Sequence, residues 1–588
     1  MVTKLPRKDV VVIGLGWTGS ILANELTDEG LDVVAIERGP WRDTAADFNV
    51  GYMQDELRFA VRKDLFLRPA QSTLTFRNNI SQQALPIREF GSFLPGNGVG
   101  GAGVHWNGQA WRFLPSDFRC RSHLTERYGA KFIPQELAIQ DWGVTYDELE
   151  PYYDKFEYLA GISGKAGNIN GKVQQGGNPF EGPRSREYPL PPLDMTYAQV
   201  LFAEGARAAG FHPFPQPAAN ASRSYTNTLG VAMGACSYCG FCERFGCANY
   251  SKASPQTTVL PVLMRKPNFE ARTECEVVRI NLDRSGKRAT GVTYVDAQGQ
   301  EWEQPGDLVL VCAFILFNVH LLLVSGIGEP YDPKTGTGTV GRNYAYQTDA
   351  SVEMFFDNKN FNPFISSGAL AQVVDDFNGD NFDHSPLDFV GGAGVLCNMT
   401  NGRPITTRPT PPGTPRWGSA WKKATTDNYL STMSLTMQGS SYATRGNYLD
   451  LDPTYKDRFG RPLLRMTFDF PDNDIRMVNY VARKTLEIAK SMQPRQIVPH
   501  FKERPYSVVP YQSTHNTGGA IMGSDPATSA VNKYLQSWDV PNVFVIGASA
   551  FPQNAGYNPT GTVGALAFKA ADAIRNQYLK SEGPLVPA

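Results

Sequence analysis

Apolar and polar positions along the chain sort into a small number of patterns. Val10 to Ile13 is a four-residue β-branched run fit for a buried strand, and Ile21, Leu22 and Leu26 follow at helical spacing. Val33 to Ile36 repeats the strand signal. Leu308 to Val324 is almost wholly apolar for 17 residues, at the short limit for crossing a membrane. Asn318 and His320 interrupt it, and Val309 to Val311 precede a leucine-rich half, so the pattern predicts a buried strand and then a buried helix. Ala271 to Ile280 and Ala289 to Val295 read as strands joined by a turn at Ser285-Gly286, Asn542 to Gly547 as a last strand, and the stretch before it as hairpin-like. Helices are predicted near Ala198 to Ala209, Asp472 to Met492 and Val563 to Tyr578. Residues 345 to 505 scatter aromatics among Asn, Asp, Gly and Thr, with a Pro-rich loop at Arg403 to Arg416 and strand-like runs at Tyr429 to Gln438 and Pro462 to Phe470. They predict a large antiparallel sheet. The fold class is α/β, α+β overall.

The first strand runs directly into Gly14, Gly16 and Gly19, spaced G-x-G-x-x-G. The first glycine makes the turn, the second lets backbone approach a pyrophosphate, and the third lets helix pack on strand. Glu37, at the end of the second strand, stands where a carboxylate binds a ribose hydroxyl pair, which argues for an unphosphorylated ribose. The motif does not separate FAD from NAD, since both carry the same adenosine diphosphate half. A second glycine-rich loop, with six glycines between Gly96 and Gly108 around His105 and Trp106, needs backbone close to a phosphate or a flat ring and favours the longer FAD. Trp41 to Asn79 reads as loops and short helices over the cofactor.

Bulk composition narrows the classes. With 588 residues, 41% of them hydrophobic, the chain is long enough for two or three domains. A net charge of -1 gives no footprint for nucleic acid. The start, MVTKLPRKD, enters the first strand without a charged-then-apolar signal pattern, so any export is expected to depend on a partner.

Four of the eight cysteines, Cys236, Cys239, Cys242 and Cys247, fall within 12 residues as C-x2-C-x2-C-x4-C. The first three repeat the run of bacterial iron-sulfur sites. A closed four-thiolate zinc site is the alternative, and disulfides a third, although Cys120, Cys275, Cys312 and Cys397 show no framework. A cluster beside a flavin would let two electrons leave singly, which argues against an oxidase.

The glycine fingerprint, the GGAGVHWN loop, the segment from Asp141 to Tyr153, Ser325-Gly326-Ile327-Gly328 and Val340-Gly341-Arg342-Asn343 together resemble the glucose-methanol-choline oxidoreductases, in order and over nearly the whole chain. The resemblance implies an FAD domain assembled from residues 1–160, 266–344 and 506–588, a connecting region with the cysteine loop at 161–265, and a substrate domain at 345–505. It implies Gly100, Gly101, His105, Trp106 and Asn107 at the flavin, with His105 joined covalently to it, Val278 near the adenine, and Gly547, Ala548, Pro559 and Thr560 also on the cofactor. It places a catalytic His and Asn on His515 and Asn558: a base for the hydroxyl proton, and a donor that orients the oxygen as hydride leaves for the flavin. Cysteine clusters at this point resemble those of bacterial membrane-associated sugar and sugar-acid dehydrogenases. These carry a [3Fe-4S] cluster and pass electrons to a cytochrome c subunit. The expected reaction is oxidation of D-gluconate to 2-keto-D-gluconate, with fructose, 2-ketogluconate, sorbitol or glucose as alternatives and a non-catalytic flavin sensor as the reading from another class. The expected location is the periplasmic face of the inner membrane, reached with a small signal-bearing subunit and held there only through partners.

Overall fold

A computed structural model describes residues 2–48, 65–399, 407 and 409–587. The parts of the Trp41 to Asn79 and Arg403 to Arg416 readings at 49–64, 403–406 and 408 lie outside these residues. The main sheet has Phe269–Arg272, Val33–Ile36, Lys8–Ile13 and Glu301–Val311 as parallel neighbours, with Val543–Val545 parallel to the end of the last. Val10 to Val12, Val33 to Ala35, Val309 to Val311 and Val543 to Val545 are all buried, without alternation. Such runs belong to strands covered on both faces.

Trp17–Asp28 and Thr560–Asn576 are packed helices of this layer. The apolar run beginning at Leu308 divides as its pattern predicts, into the end of the Glu301–Val311 strand and the Ile315–Ser325 helix. No helix among the described residues is long and apolar enough to cross a membrane. The Ala271 to Ile280 reading changes: two strands occupy it. Phe269–Arg272 pairs parallel with Val33–Ile36, and Glu276–Leu282 turns back against Ala289–Val295. The break falls at Glu274, whose φ of 56° is left-handed and ends the extended run.

A six-stranded antiparallel sheet covers the cavity. Its order is Gln496–His500, Thr348–Phe355, Thr432–Gly439, Ala393–Asn398, Ala371–Val374 and Pro213–Pro215. The Asp472–Ser491 helix lays Met477, Val478, Val481 and Ala482 into the core of this domain. Two features depart from the sequence reading. The edge strand Pro213–Pro215 comes from the connecting region, and Pro462–Thr467 belongs to a separate small sheet, between Tyr448–Lys456 and Thr75–Arg77. The expected hairpin before the last strand is replaced by isolated bridges such as Met522 to Val531 and Gln536 to Phe544.

A buried ion cluster fastens the connecting region to the FAD domain. The Tyr146–Ala160 helix starts from a capping box of Thr145 and Glu148 and carries Glu157 inward. Both Glu157 oxygens accept from Arg112, Nε and Nη2 each at 2.8 Å, and Oε2 also accepts from Arg184 Nη2. All three side chains are buried, and the carboxylate raises the pKa of both guanidinium groups against the opposing effect of burial. Removing one partner strands buried charge. Glu157→Gln is therefore expected to cost about 3–5 kcal/mol, read as a lowered midpoint of urea unfolding. Lys423→Ala, which breaks the exposed pair with Asp427, should cost less than about 1 kcal/mol.

Candidate active site

The two glycine loops meet at the carboxyl end of the parallel strands. A Cβ on Gly19 would stand 2.0 Å from Gly14 O, so helix and turn close directly on each other. Gly16 meets only the Gly100–Gly101 backbone, at 3.9–4.0 Å, with cavity beside it. Gly100 N–H donates to Leu15 O at 2.7 Å and holds the loops in register. Glu37 bridges the turn, its Oε2 accepting from Leu15 N and its Oε1 from Gly39 N, each at 2.9 Å.

From here a cavity of about 700 Å³ runs between the two main sheets, within the range of roughly 300–1,000 Å³ usual for ligand pockets. Gly14, Gly16, Glu37 and Arg38 line one end. Gly101, His105, Trp106 and Asn107 follow, then Gly547, Ala548, Asn558, Pro559, Thr560 and His515, under Thr432, Ser434, Thr436 and Gln438 of the antiparallel sheet. Glu276 and Val277, the neighbours of the Val278 expected near the adenine, line the cavity. Val278 does not: its carbonyl accepts from Arg461 Nη1 at 3.1 Å.

His105 is 4% exposed, and its Nε2 has no hydrogen-bond partner among the described residues. Burial, with Lys252 nearby, holds its pKa down at about 3, so the imidazole is neutral with a lone pair to offer. The Thr560–Asn576 helix begins at the cavity wall. Its N-cap, Pro559, supplies no side-chain cap, which leaves backbone N–H groups and the positive end of the dipole toward a ligand. Bare glycine backbone, the orphaned His105 nitrogen and this uncapped helix start together fit FAD.

His515 and Asn558 are brought together. His515 Nδ1 is bonded to Gln347 Oε1, while the Gln347 amide nitrogen donates to Ala555 O at 3.5 Å and Tyr557 O at 3.4 Å. The oxygen thus faces the ring, which puts the imidazole proton on Nδ1 and leaves Nε2 as acceptor. Nε2 receives the Asn558 Nδ2–H at 3.0 Å. Burial lowers the His515 pKa to about 3. The pair therefore offers one proton acceptor and one donor side by side. Gln347 sits four residues beyond the Val340-Gly341-Arg342-Asn343 segment with no motif of its own, and sequence reasoning missed it.

The four clustered cysteines share one neighbourhood. Burial pushes the Cys242 thiol up to about 12, Lys252 opposes the rise, and Cys247, Cys236 and Cys239 add to it. Sulfur accepts from Tyr238 N at Cys236, from Asn220 Nδ2 at Cys242 and from Lys252 N at Cys247, at 3.4–3.5 Å. All eight cysteines are free. Among the described residues no three or more His, Cys, Asp or Glu side chains stand at metal-ligand spacing.

The cysteine loop is built onto the flavin-side loop. Arg244 N donates to His105 O at 2.7 Å, and the fully buried Lys252 ammonium donates to Trp106 O, Cys242 O and Phe245 O at 2.7–2.8 Å. Burial lowers the Lys252 pKa, and its largest opposing influences are Cys242, Cys247 and Cys239. Lys252 and Arg244 lie in or just after the cysteine motif, which draws the eye to its sulfur atoms alone.

Comparison with known proteins agrees with this geometry. GMC oxidoreductase family models match residues 140–349 and 443–567. The chain is 51% identical to the gluconate 2-dehydrogenase flavoprotein of Pantoea cypripedii, over 100% of this chain and 96% of that one. It is 27% identical to the 2-methyl-1,2-propanediol dehydrogenase of Mycolicibacterium austroafricanum, over 98% and 97%. The crystal structure of pyridoxine 4-oxidase from Mesorbium loti shares the fold, with a TM-score of 0.59 at 17% identity, over 97% of this chain and all of that one. With both family models matched and a cavity shaped for their cofactor, the chain belongs to the GMC oxidoreductase family, enzymes that oxidise alcohols with FAD.

Proposed function

We propose that this protein oxidises the C2 hydroxyl of D-gluconate to 2-keto-D-gluconate and passes the electrons through an iron-sulfur cluster, a [3Fe-4S] cluster, to a cytochrome c subunit. The His515–Asn558 pair at the cavity wall carries the catalytic part of this reading. The likeness to a gluconate 2-dehydrogenase flavoprotein supports the substrate. When bound, FAD supplies a hydride acceptor, and a cluster on the cysteine loop supplies a one-electron exit.

The chain's own part follows from the pair. A hydroxyl entering between the two side chains displaces the Asn558–His515 bond, donating to His515 Nε2 and accepting from Asn558 Nδ2. As hydride leaves the carbon, the proton passes to Nε2. Gln347 keeps Nδ1–H in place, so the ring cannot turn away. Asn558 only orients the oxygen, since no proton need pass through an amide. A non-catalytic flavin sensor would have no use for this pairing.

Two further parts belong to the same proposal. The unpaired His105 Nε2 supports a covalent bond to the flavin. The shared thiol neighbourhood, the N–H donors on the Cys236, Cys242 and Cys247 sulfurs and the nearby Lys252 ammonium support sulfur ligands at Cys236, Cys239, Cys242 and Cys247, where a bound metal would displace the protons that burial holds on the thiols. On this reading the protein works at the periplasmic face of the inner membrane, is carried there with a small signal-bearing subunit, and is held by the cytochrome subunit.

Stopped-flow bleaching of the flavin tests the chemistry. D-gluconate should reduce it faster than fructose, glucose, sorbitol or 2-ketogluconate, and rapid bleaching by fructose alone would overturn the substrate. His515→Ala should slow reduction roughly a hundred to ten thousandfold with FAD and iron retained, and Asn558→Ala should slow it less. Because the His515 pKa is lowered to about 3, the accepting form prevails well below the ordinary 6.5. The reduction rate should therefore stay level from pH 8 to pH 5, and an acid limb centred near 6.5 would show that the imidazole is not held neutral.

Acid precipitation and metal analysis test the cofactors. The precipitate should stay yellow in the wild type and lose its flavin in His105→Ala. Iron with acid-labile sulfide and an electron paramagnetic resonance signal is expected, and Cys239→Ser should diminish all three. Zinc without iron would sink the cluster.

A further inference from the structure

We propose that Arg244 binds the substrate carboxylate and so makes this cavity a site for a sugar acid. The inference rests on the functional reading above and adds the group that recognises the acid. Among the described residues, three guanidinium groups line the cavity: Arg38, Arg244 and Arg461. Two lie at the fingerprint end. Arg38 follows Glu37 in the chain and lies over the Phe317 ring at 4.2 Å, its buried Nε without a hydrogen-bond partner among the described residues, with Glu276 and Glu37 as its largest opposing charges. Arg461 is paired with Glu276 at 2.9 Å and Asp457 at 2.7 Å.

Arg244 stands instead against the His105 loop and Tyr511. Its backbone, at φ 68°, is fixed by the N–H bond to His105 O, in the loop proposed to hold the flavin. Its guanidinium lies 4.0 Å from the centroid of the Tyr511 ring. Tyr511 begins the run through Gln512, Ser513 and Thr514 to His515, every member of which lines the cavity. The Arg244 Nε donates to Glu243 Oε1 at 3.2 Å, and among the described residues the two terminal amino groups have no protein partner. The planar group is thus clamped on one face and along one edge, with a two-pronged edge left over.

That edge matches a carboxylate, which takes two parallel N–H bonds from a guanidinium. In a 2-hydroxy acid the carboxylate is bonded to the carbon that loses hydride, so its anchor must share a compartment with the base. Arg244 and His515 do so. The Glu243 contact offsets part of the positive charge while no acid is present, and an arriving carboxylate meets a donor already oriented.

Arg244→Gln and Arg244→Lys test the assignment. In Arg244→Gln, KM for gluconate should rise about ten- to hundredfold, the range of a charge-assisted hydrogen bond, with flavin reduction at saturation within about threefold of wild type. Titration of the oxidised flavin spectrum with 2-keto-D-gluconate should show the same loss in Kd. Arg244→Lys keeps the charge without the fork and should recover part of it. FAD and iron contents serve as controls. If Arg244→Gln fails to load cofactors, the Kd of Arg244→Lys decides instead. Unchanged KM and Kd, or a loss confined to kcat, would overturn the assignment. A wild type inert to every sugar acid would overturn the functional reading itself.

Discussion

The structure depends on one contact: bare backbone against bare backbone where the first strand meets its helix and the second glycine loop crosses it. Gly14 has no room for a Cβ before Cys312 O, at 2.7 Å, nor Gly19 before Gly14 O, nor Gly96 before the Gly101 carbonyl carbon, at 2.4 Å. Side chains at these points would force the layers apart. The cavity, with Glu37 at one end and His515 at the other, exists because those layers touch. The antiparallel sheet then needs only to roof a space already defined by the parallel one.

The cysteine loop belongs to the same contact at one remove. Two of its attachments run to main-chain oxygens of the His105–Trp106 segment, and Lys252 supplies three of its bonds from a position with no exposed surface. A buried ammonium held only by carbonyl dipoles lacks a full counter-charge. Nearby sulfur is its natural complement. One residue thus joins the packing of the loop to its electrostatics.

Much of this was legible in the sequence because local signals and tertiary environment agree. Val33 to Ile36 is apolar and buried over its whole length, and β-branched except at Ala35. The helix read near Ala198 to Ala209 spans Tyr197–Ala208. What escaped was decided by distant pairing. Pro213–Pro215 has no strand pattern and becomes one only because Ala371–Val374 lies beside it. Glu274 breaks a continuous β-like run through a backbone angle that no periodicity announces. Within the site, His515 and Asn558 came from a resemblance to known enzymes. Gln347, Lys252 and Arg244 act through geometry between segments far apart in the chain and leave no spacing to find.

The two margins of the roofing sheet share a property. One margin is Pro213–Pro215 and the other, Gln496–His500, contains Pro499. Proline has no N–H to give, so each border is interrupted as a template along which another strand could pair. The interruptions disfavour edgewise extension of this sheet by a second molecule.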